Sequence, residues 1–504
     1  MTRGTRGDVQ PFVALARGLC SERGWLVTIC TEARWKGWVV AQCADITAGA
    51  VRFVCSGGDT QRQTETWVSK EIMGSKTEAL QELMLAASEA NFFASAPVFM
   101  HHLARLQATA ATKVDLIINA FTLTGVALMC GEAHGIPVAG FCLQPTCIPS
   151  DDEDWHAIVP IDSDGDSLID RAEAKLFTSH TSLKPIRRAF NQFPWSGLSL
   201  PSLRAQFGLE ASITWKAAFR WELPLVIPML PRSFKRPSDW PASFACTDFL
   251  FLRSSAPGGG KLAADQAEFV EAARAKERKL MVMTFSSMPV PRAACLEAAV
   301  EMLLKSKHDF ALLYVGKRQP DPVPAALEAQ VDELTAAGKL LEAERADFGV
   351  LFRQMDAFVV HGGLGTTVEA LRMRKPTVVT GILLMDQRFW GLVCHEQGIG
   401  PKPVHIESFK DIAADWADRA LDPESDYGKA AAALSFGDED NDGVAANVNE
   451  FVRLVESGLR PPRACAKGHK AQAKLKSGKL LPKEGGEEWS HSTRADVKAY
   501  PQSA

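Results

Sequence analysis

The chain holds no apolar run that approaches the roughly 18 residues a membrane-spanning helix needs. Its N-terminus carries no signal-peptide apolar stretch. The eleven cysteines are scattered and include no C-x-x-C pair, a pattern that fits reduced cytosolic thiols better than a disulfide framework. There is no basic excess either: the formal net charge is −4, which gives no argument for a nucleic-acid partner. The scarcest feature is chain ahead of the first glycine-rich turn, "GTRGDVQPFVALA". Such turns usually follow a buried strand that holds them in place, yet only Met1, Thr2 and Arg3 stand before this one.

What is present is the composition of a soluble protein, 46% hydrophobic and 23% charged over 504 residues. That length is too great for one core and predicts two domains. Strand-like runs at 24–30, 51–56, 114–120 and 136–143 alternate with helical patterns, including 75–93. Phe12, Leu15, Ala16 and Leu19 mark a helix face, with Pro11 at the first helical position. A proline-rich stretch over 224–256 leads into "RSSAPGGGKL" and reads as the end of the first domain and its linker. Strands are then expected at 279–285, 310–316, 356–363 and 376–384, with a helix over 292–306. The alternation predicts an α/β architecture with a doubly wound sheet in each half. The expected boundaries are 1–240, a linker over 241–262, a second domain over 263–458 and a tail over 459–504. Residues 460–483 carry eight Lys/Arg and no Asp or Glu. They read as a solvated tail, or as one weakly drawn to an anionic membrane surface.

The most informative stretch is "DAFVVHGGLGTTVEALRMRKPTVVTGILLMDQRFWG". It reads as a strand, a glycine loop, a helix starting near Thr366, and a second strand ending at Asp386-Gln387. In a parallel sheet both strand ends share one edge, so the loop and Asp386-Gln387 converge. Gly362, Gly363 and Gly365 allow close approach to a ligand, and the helix start suits a phosphate. Thr366, Thr367 and His361 add donors, and Asp386 and Gln387 suit a polyol. Singly, Thr366 reads as a helix cap, His361 as a core histidine and Asp386 as a turn residue. Jointly they point to a nucleotide sugar.

"HGGLGTT", "ALR", "DQRFWG" and "GIGPKP" together resemble the donor signature of UDP-dependent glycosyltransferases, and specifically the sterol 3-beta-glucosyltransferase type. "GTRGDVQPFVALA" resembles that group's N-terminal signature, "RPSDWP" at 236–241 its interdomain stretch, and "GGD" at 57–59 also fits. The resemblance extends to about residue 455. It implies the GT-B fold, two Rossmann-like domains facing across a cleft, the first for the acceptor and the second for the UDP-sugar. It implies inverting, metal-independent transfer of glucose from UDP-glucose to a hydroxyl of a sterol or similar lipid, with no catalytic cofactor. By the same resemblance Gly4, Ser286, Ser287, His361, Gly362, Gly363, Gly365, Thr366, Thr367, Asp386 and Gln387 contact the donor, and Asp8 is the general base. Read from the residues alone, Asp8 is a turn or cap residue before Pro11.

The chain departs from that pattern at three places. The group has a strand before "GTRGD", and the expectation here is an incomplete chain start, because a parallel sheet without a central strand loses burial and leaves backbone unpaired. A Phe-Gly-Ser-Met turn is replaced by Phe285-Ser286-Ser287-Met288. Val350 stands where a tryptophan would stack on uracil, a loss of roughly 1–3 kcal/mol by analogy with base stacking. Two other readings therefore stand beside sterol transfer: a different small hydrophobic acceptor, or a catalytically silent protein with a calcium loop. The loop in question is "DSDGDSLIDRAE" at 162–173. Asp162, Asp164, Asp166, Asp170 and Glu173 hold the EF-hand ligand spacing for Ca²⁺, with Ser167 in place of the usual glycine. An acidic surface loop has the same composition. The superficially similar 438–450 stretch reads as structural.

Overall fold

The structure is a computed structural model that describes residues 1–74, 91–148, 150, 152, 195–231, 236–253, 260–316, 322–384, 386–435 and 441–462. Among these residues every strand pairing is parallel. The first half contributes β1 (Leu26–Thr31), β2 (Ala50–Cys55), β3 (Ile117–Ala120), β4 (Val138–Phe141), β5 (Leu225–Ile227) and β6 (Phe244–Cys246). The second contributes β7 (Lys279–Ser286), β8 (Phe310–Gly316), β9 (Leu340–Ala343), β10 (Ala357–Val360), β11 (Thr377–Gly381) and β12 (Val404–His405).

The second sheet runs β12-β11-β10-β7-β8-β9. Read along the chain this is the 3-2-1-4-5-6 order of a dinucleotide-binding fold. Its strands are buried on both faces: Leu280 and Val282 enter one apolar cluster, Met281 and Met283 the other. Continuous apolar runs such as "KLMVMTF" encode that double coverage. The direction of winding reverses between β7 and β10, and ligands bind outside the strand ends at such a point. Ser286 ends β7 there, and His361 follows β10.

The first sheet lies in two pieces, β1-β2 and β3-β4-β5-β6. Met1 and Thr2 bridge them where the strand expected ahead of the glycine turn would run. The Met1 ammonium donates to the Ile118 carbonyl at 2.6 Å, and the Ala120 N–H donates to the Met1 carbonyl at 2.8 Å. The Thr2 N–H donates to Cys30 of β1 at 3.1 Å. The glycine turn thus leaves the sheet at its own reversal point, between β1 and β3.

Several boundaries differ from the sequence expectation. The first helix is Arg6–Arg23, so Pro11 lies inside it instead of opening it. The cause is that Thr5 and Asp8 already close the N-terminus, and Pro11, in the second turn, withholds a hydrogen bond only from Gly7. The expected face is nonetheless buried, with Phe12, Leu15, Ala16 and Leu19 inside. The proline-rich stretch read as linker holds β5 and β6, strands of three residues each. The helix Val444–Glu456, expected with the second domain, returns to the first. Val448, Phe451 and Leu454 pack with Phe12, Leu15 and Leu19, and the Phe451 ring lies 6.0 Å from Phe141. Burying each such side chain stabilises by about 1.5–3 kcal/mol. The helix expected over 75–93 lies outside the described residues except at its end.

The close crossing of the two helices depends on Gly18. A Cβ there would stand 2.3 Å from Val444 Cγ1 and 2.7 Å from Val448 Cγ2. Gly18→Leu is expected to overpack this contact and to destabilise the chain by about 1–3 kcal/mol. Urea denaturation checks this, and an unchanged midpoint would contradict the packing.

Candidate active site

The first wall of the cleft is built on the turn Gly4–Asp8. Asp8 is the third residue of the Arg6–Arg23 helix, and its carboxylate reaches back to the helix start. The Thr5 N–H donates to Asp8 Oδ2 at 2.8 Å and the Thr5 hydroxyl to the same oxygen at 3.3 Å. Gln144, three residues beyond β4, donates from Nε2 to Oδ1 at 3.2 Å. The cap reading of Asp8 therefore holds, and it coexists with a carboxylate at the cleft. Gly4 has φ +140°, and a Cβ there would stand 2.1 Å from Asp8 Oδ2. Gly4 thus serves the approach of Asp8. Burial pushes the Asp8 carboxyl up to about 6, against the hydrogen bonds from Thr5 and Gln144, and nearby Glu32 adds to the rise.

Glu32 itself is buried and paired with Arg3 at 3.2 Å. It also accepts from the Thr60 N–H at 2.9 Å and the Thr60 hydroxyl at 2.5 Å. Arg3 continues to the Asn91 carbonyl and the Ser95 hydroxyl. This buried ion pair has most of its hydrogen bonds satisfied, the condition under which a buried charge is tolerated. It fixes the turn that carries Gly4 to the 57–60 loop.

The second wall is the glycine loop after β10. The helix Leu364–Arg372 begins two residues earlier than expected, with Gly363 as N-cap and no side-chain cap, so Thr366 is not a cap. The first helical N–H groups, through Thr366, therefore have no partner within the helix, and Thr367 makes the first bond, to Gly363. A side chain at Gly365 would meet nothing within 4 Å. His361 and Thr367 are buried, and His361 Nδ1 and Thr367 Oγ1 have no hydrogen-bond partner. Burial lowers the His361 ring to about 4, so at neutral pH it offers a neutral imidazole and no positive charge. Buried, unsatisfied polar atoms beside open helix N–H groups are what an anion site requires before its ligand arrives.

Asp386 and Gln387 do not end a strand: β11 stops at Gly381, and Asp386 opens the helix Asp386–Glu396. The backbone of Gln387 packs against Gly362, where a Cβ would stand 2.5 Å from the Gln387 carbonyl, so the two predicted parts do converge. Gln387 Oε1 accepts from the Leu384 N–H at 2.8 Å, which leaves its Nε2 to a ligand. Burial pushes the Asp386 carboxyl up to about 7, and nearby Asp8 adds to this. The 145–147 turn after Gln144 packs on the Asp386–Glu396 helix. Carboxylates from the two halves thus share one cleft.

A groove beside it is lined by Ser286, Ser287 and Tyr314 from the second half and by Gln61, Thr64 and Lys70 from the first. The last three carry no motif, and no sequence signal singled them out. Ser286 has φ +54°, so the backbone keeps the shape of the expected glycine turn although the residue is serine. Val350 lies in the short helix Phe348–Leu351, where a Cβ on Gly260 would stand 3.2 Å from Val350 Cγ2. The linker thus lies against the position of the expected stacking ring. The 162–173 loop, with Asp162, Asp164, Asp166, Asp170 and Glu173, lies outside the described residues. Among the described residues no cluster of His, Cys, Asp or Glu is arranged to hold a metal ion, and no helix is long and apolar enough to cross a membrane.

Comparison with known proteins finds relatives in sequence and in fold. Residues 1–138 match the glycosyltransferase family 28 N-terminal domain. A sterol 3-beta-glucosyltransferase of Debaryomyces hansenii is 25% identical over 415 residues, covering 81% of this chain and 24% of that protein. One of Arabidopsis thaliana is 26% identical over 477 residues, covering 92% and 68%. The chain spans about a quarter of the length of the fungal relatives it matches. Among solved structures, the glycosyltransferase VinC in complex with dTDP has a TM-score of 0.51 at 16% identity, covering 90% of this chain and 98% of that one. The spinosyn rhamnosyltransferase SpnG has a TM-score of 0.50 at 15% identity, covering 91% and 100%. The chain has the GT-B fold of glycosyltransferases, and its sequence relatives are sterol 3-beta-glucosyltransferases.

A serine held in the left-handed region costs about 1–2 kcal/mol. Ser286→Gly is therefore expected to stabilise the chain by about 1 kcal/mol, part of the gain being offset by the added freedom of the unfolded glycine. The denaturation midpoint checks this, and a comparable loss would mean that the serine side chain holds the turn.

Proposed function

We propose that this GT-B chain transfers glucose from UDP-glucose to the hydroxyl of a sterol or similar lipid, with inversion at the anomeric carbon. The observation that carries the reading is the approach of Asp8, from the first half, to Asp386, from the second, beside the glycine loop. The Asp8 carboxylate stands on one wall, and open helix N–H groups, His361 and Asp386 stand on the other.

In this reading the first half binds the acceptor, with its hydroxyl against Asp8, and the second half binds the donor. The acceptor oxygen attacks the anomeric carbon, its proton passes to Asp8, and the bond from that carbon to the UDP oxygen breaks. Base catalysis of this kind contributes about 10²–10⁴-fold. The departing diphosphate gathers negative charge, which the N–H groups of Leu364, Gly365 and Thr366 meet together with the Thr366 and Thr367 hydroxyls. Neutral His361 donates a hydrogen bond to the same group. Asp386 and the Gln387 amide hold sugar hydroxyls, and Ser286 and Ser287 line the donor side. Alignment of both substrates across the cleft supplies much of the remaining acceleration.

The protein would work in the cytoplasm, with the basic 460–483 stretch a solvated tail, or one weakly drawn to an anionic membrane surface where such an acceptor resides. The glycine-like turn at Ser286 favours this reading over a silent protein.

Asp8→Asn keeps the size of the side chain and an oxygen acceptor for the helix cap. It is expected to lower transfer by about 10²–10⁴-fold while UDP binding persists. A base must be ionised to act, so the parent's rate should fall as pH drops below about 6 and hold above it. Glucosyl transfer to a sterol, followed across pH, checks both. Transfer by Asp8→Asn at the parent's rate would contradict the assignment.

A further inference from the structure

The geometry points to Gln144 as the positioning residue of the candidate base: its carboxamide fixes which oxygen of Asp8 faces the acceptor and favours the ionised carboxylate. The inference rests on the reading of Asp8 as the base.

The two Asp8 oxygens are held in different ways. Oδ2 is turned back to the helix start, where the Thr5 N–H and hydroxyl donate to it. Those bonds belong to the turn and would form in any helix capped this way. Oδ1 has one neutral side-chain donor, Gln144 Nε2 at 3.2 Å, from a residue 136 positions away in the chain. Gln144 is itself held in place. Its carbonyl accepts from the Cys147 N–H at 3.0 Å within the 145–147 turn, and that turn rests on the Asp386–Glu396 helix. The residue that touches Asp8 is therefore anchored against the wall that carries Asp386.

The groups around Asp8 make such a donor necessary. Glu32, just after β1, and Asp386, on the opposite wall, are the acidic neighbours, and both disfavour a further negative charge between them. Arg3 is engaged with Glu32, and Arg388 acts on Asp386. The hydrogen bonds from Thr5 and Gln144 are what oppose burial at Asp8. Of these, only the Gln144 bond can be removed without opening the helix cap. A glutamine has no charge of its own, so it orders the carboxylate without neutralising it, and a base that must take up a proton stays basic.

The experiment compares Gln144→Leu and Gln144→Glu with the parent and with Asp8→Asn. Two readouts are used, the pH profile of glucosyl transfer and the carboxyl ¹³C NMR titration of Asp8, assigned by its loss in Asp8→Asn. A hydrogen bond to a charged group accounts for about tenfold or somewhat more. Gln144→Leu should lower kcat by about tenfold, leave the KM for UDP-glucose little changed, and move the acidic limb and the Asp8 titration up by about one pH unit. Gln144→Glu, close to glutamine in size, should move both further, because a third carboxylate then faces Asp8. A loss confined to KM, or a titration of Asp8 unmoved in both variants, would overturn the role of Gln144 while leaving Asp8 as the base. Full transfer by Asp8→Asn would overturn the base assignment and the inference with it.

Discussion

The hydrogen bond from the Thr5 N–H to Asp8 Oδ2, 2.8 Å long, sets the geometry of the first wall. It closes the N-terminus of the Arg6–Arg23 helix and in the same act brings a carboxylate to the mouth of the cleft. A helix N-terminus favours a negative side chain in its first turn, so the fold and the proposed chemistry ask for the same residue. The cost is a half-buried carboxylate beside Glu32 and Asp386, and Gly4 must lack a side chain to admit it. The buried Arg3–Glu32 pair holds the turn from behind, while Met1 and Thr2 tie it to β1 and β3.

The second wall follows from topology. Reversal of winding between β7 and β10 opens a crevice at their carboxyl ends, and the chain places Ser286 on one side of it and His361 to Thr367 on the other. The close contact of Gly362 with the Gln387 backbone then draws the start of the next helix, with Asp386, into the same crevice. Two of the residues that gather there carry unpartnered polar atoms. His361 Nδ1 and Thr367 Oγ1 are buried without partners, whereas the Arg3–Glu32 network behind the first wall has most of its bonds filled.

Much of this was legible in the sequence because it is local. The strand, glycine loop, helix and second strand at 357–381 follow one another in the chain, and their apolar runs and glycines state the order. Parallel pairing puts the loop and the end of β11 on one edge, and the close contact of Gly362 with the Gln387 backbone brings in Asp386-Gln387, which open the next helix. What could not be read was pairing between distant segments. Gln144 meets Asp8 across 136 positions, and Gln61, Thr64 and Lys70 line a groove with Ser286 through folding alone. The strands β5 and β6 are three residues long and sit among prolines, so no period of two could emerge. Pro11 drew the helix start forward because proline favours that place, while the cap formed by Thr5 and Asp8 acts five residues earlier. The return of the Val444–Glu456 helix to the first half is carried by packing at Gly18, a residue that reads as featureless within the helix.

The central claim is that the loop from His361 to Thr367 binds the diphosphate of a nucleotide sugar. Calorimetric titration of the chain with UDP, alongside His361→Ala, tests it most directly. The account predicts saturable binding by the parent and binding weakened by about tenfold in His361→Ala, the effect of losing one hydrogen bond to a charged group. A folded chain that takes up no UDP, or that binds it equally well without His361, would contradict it.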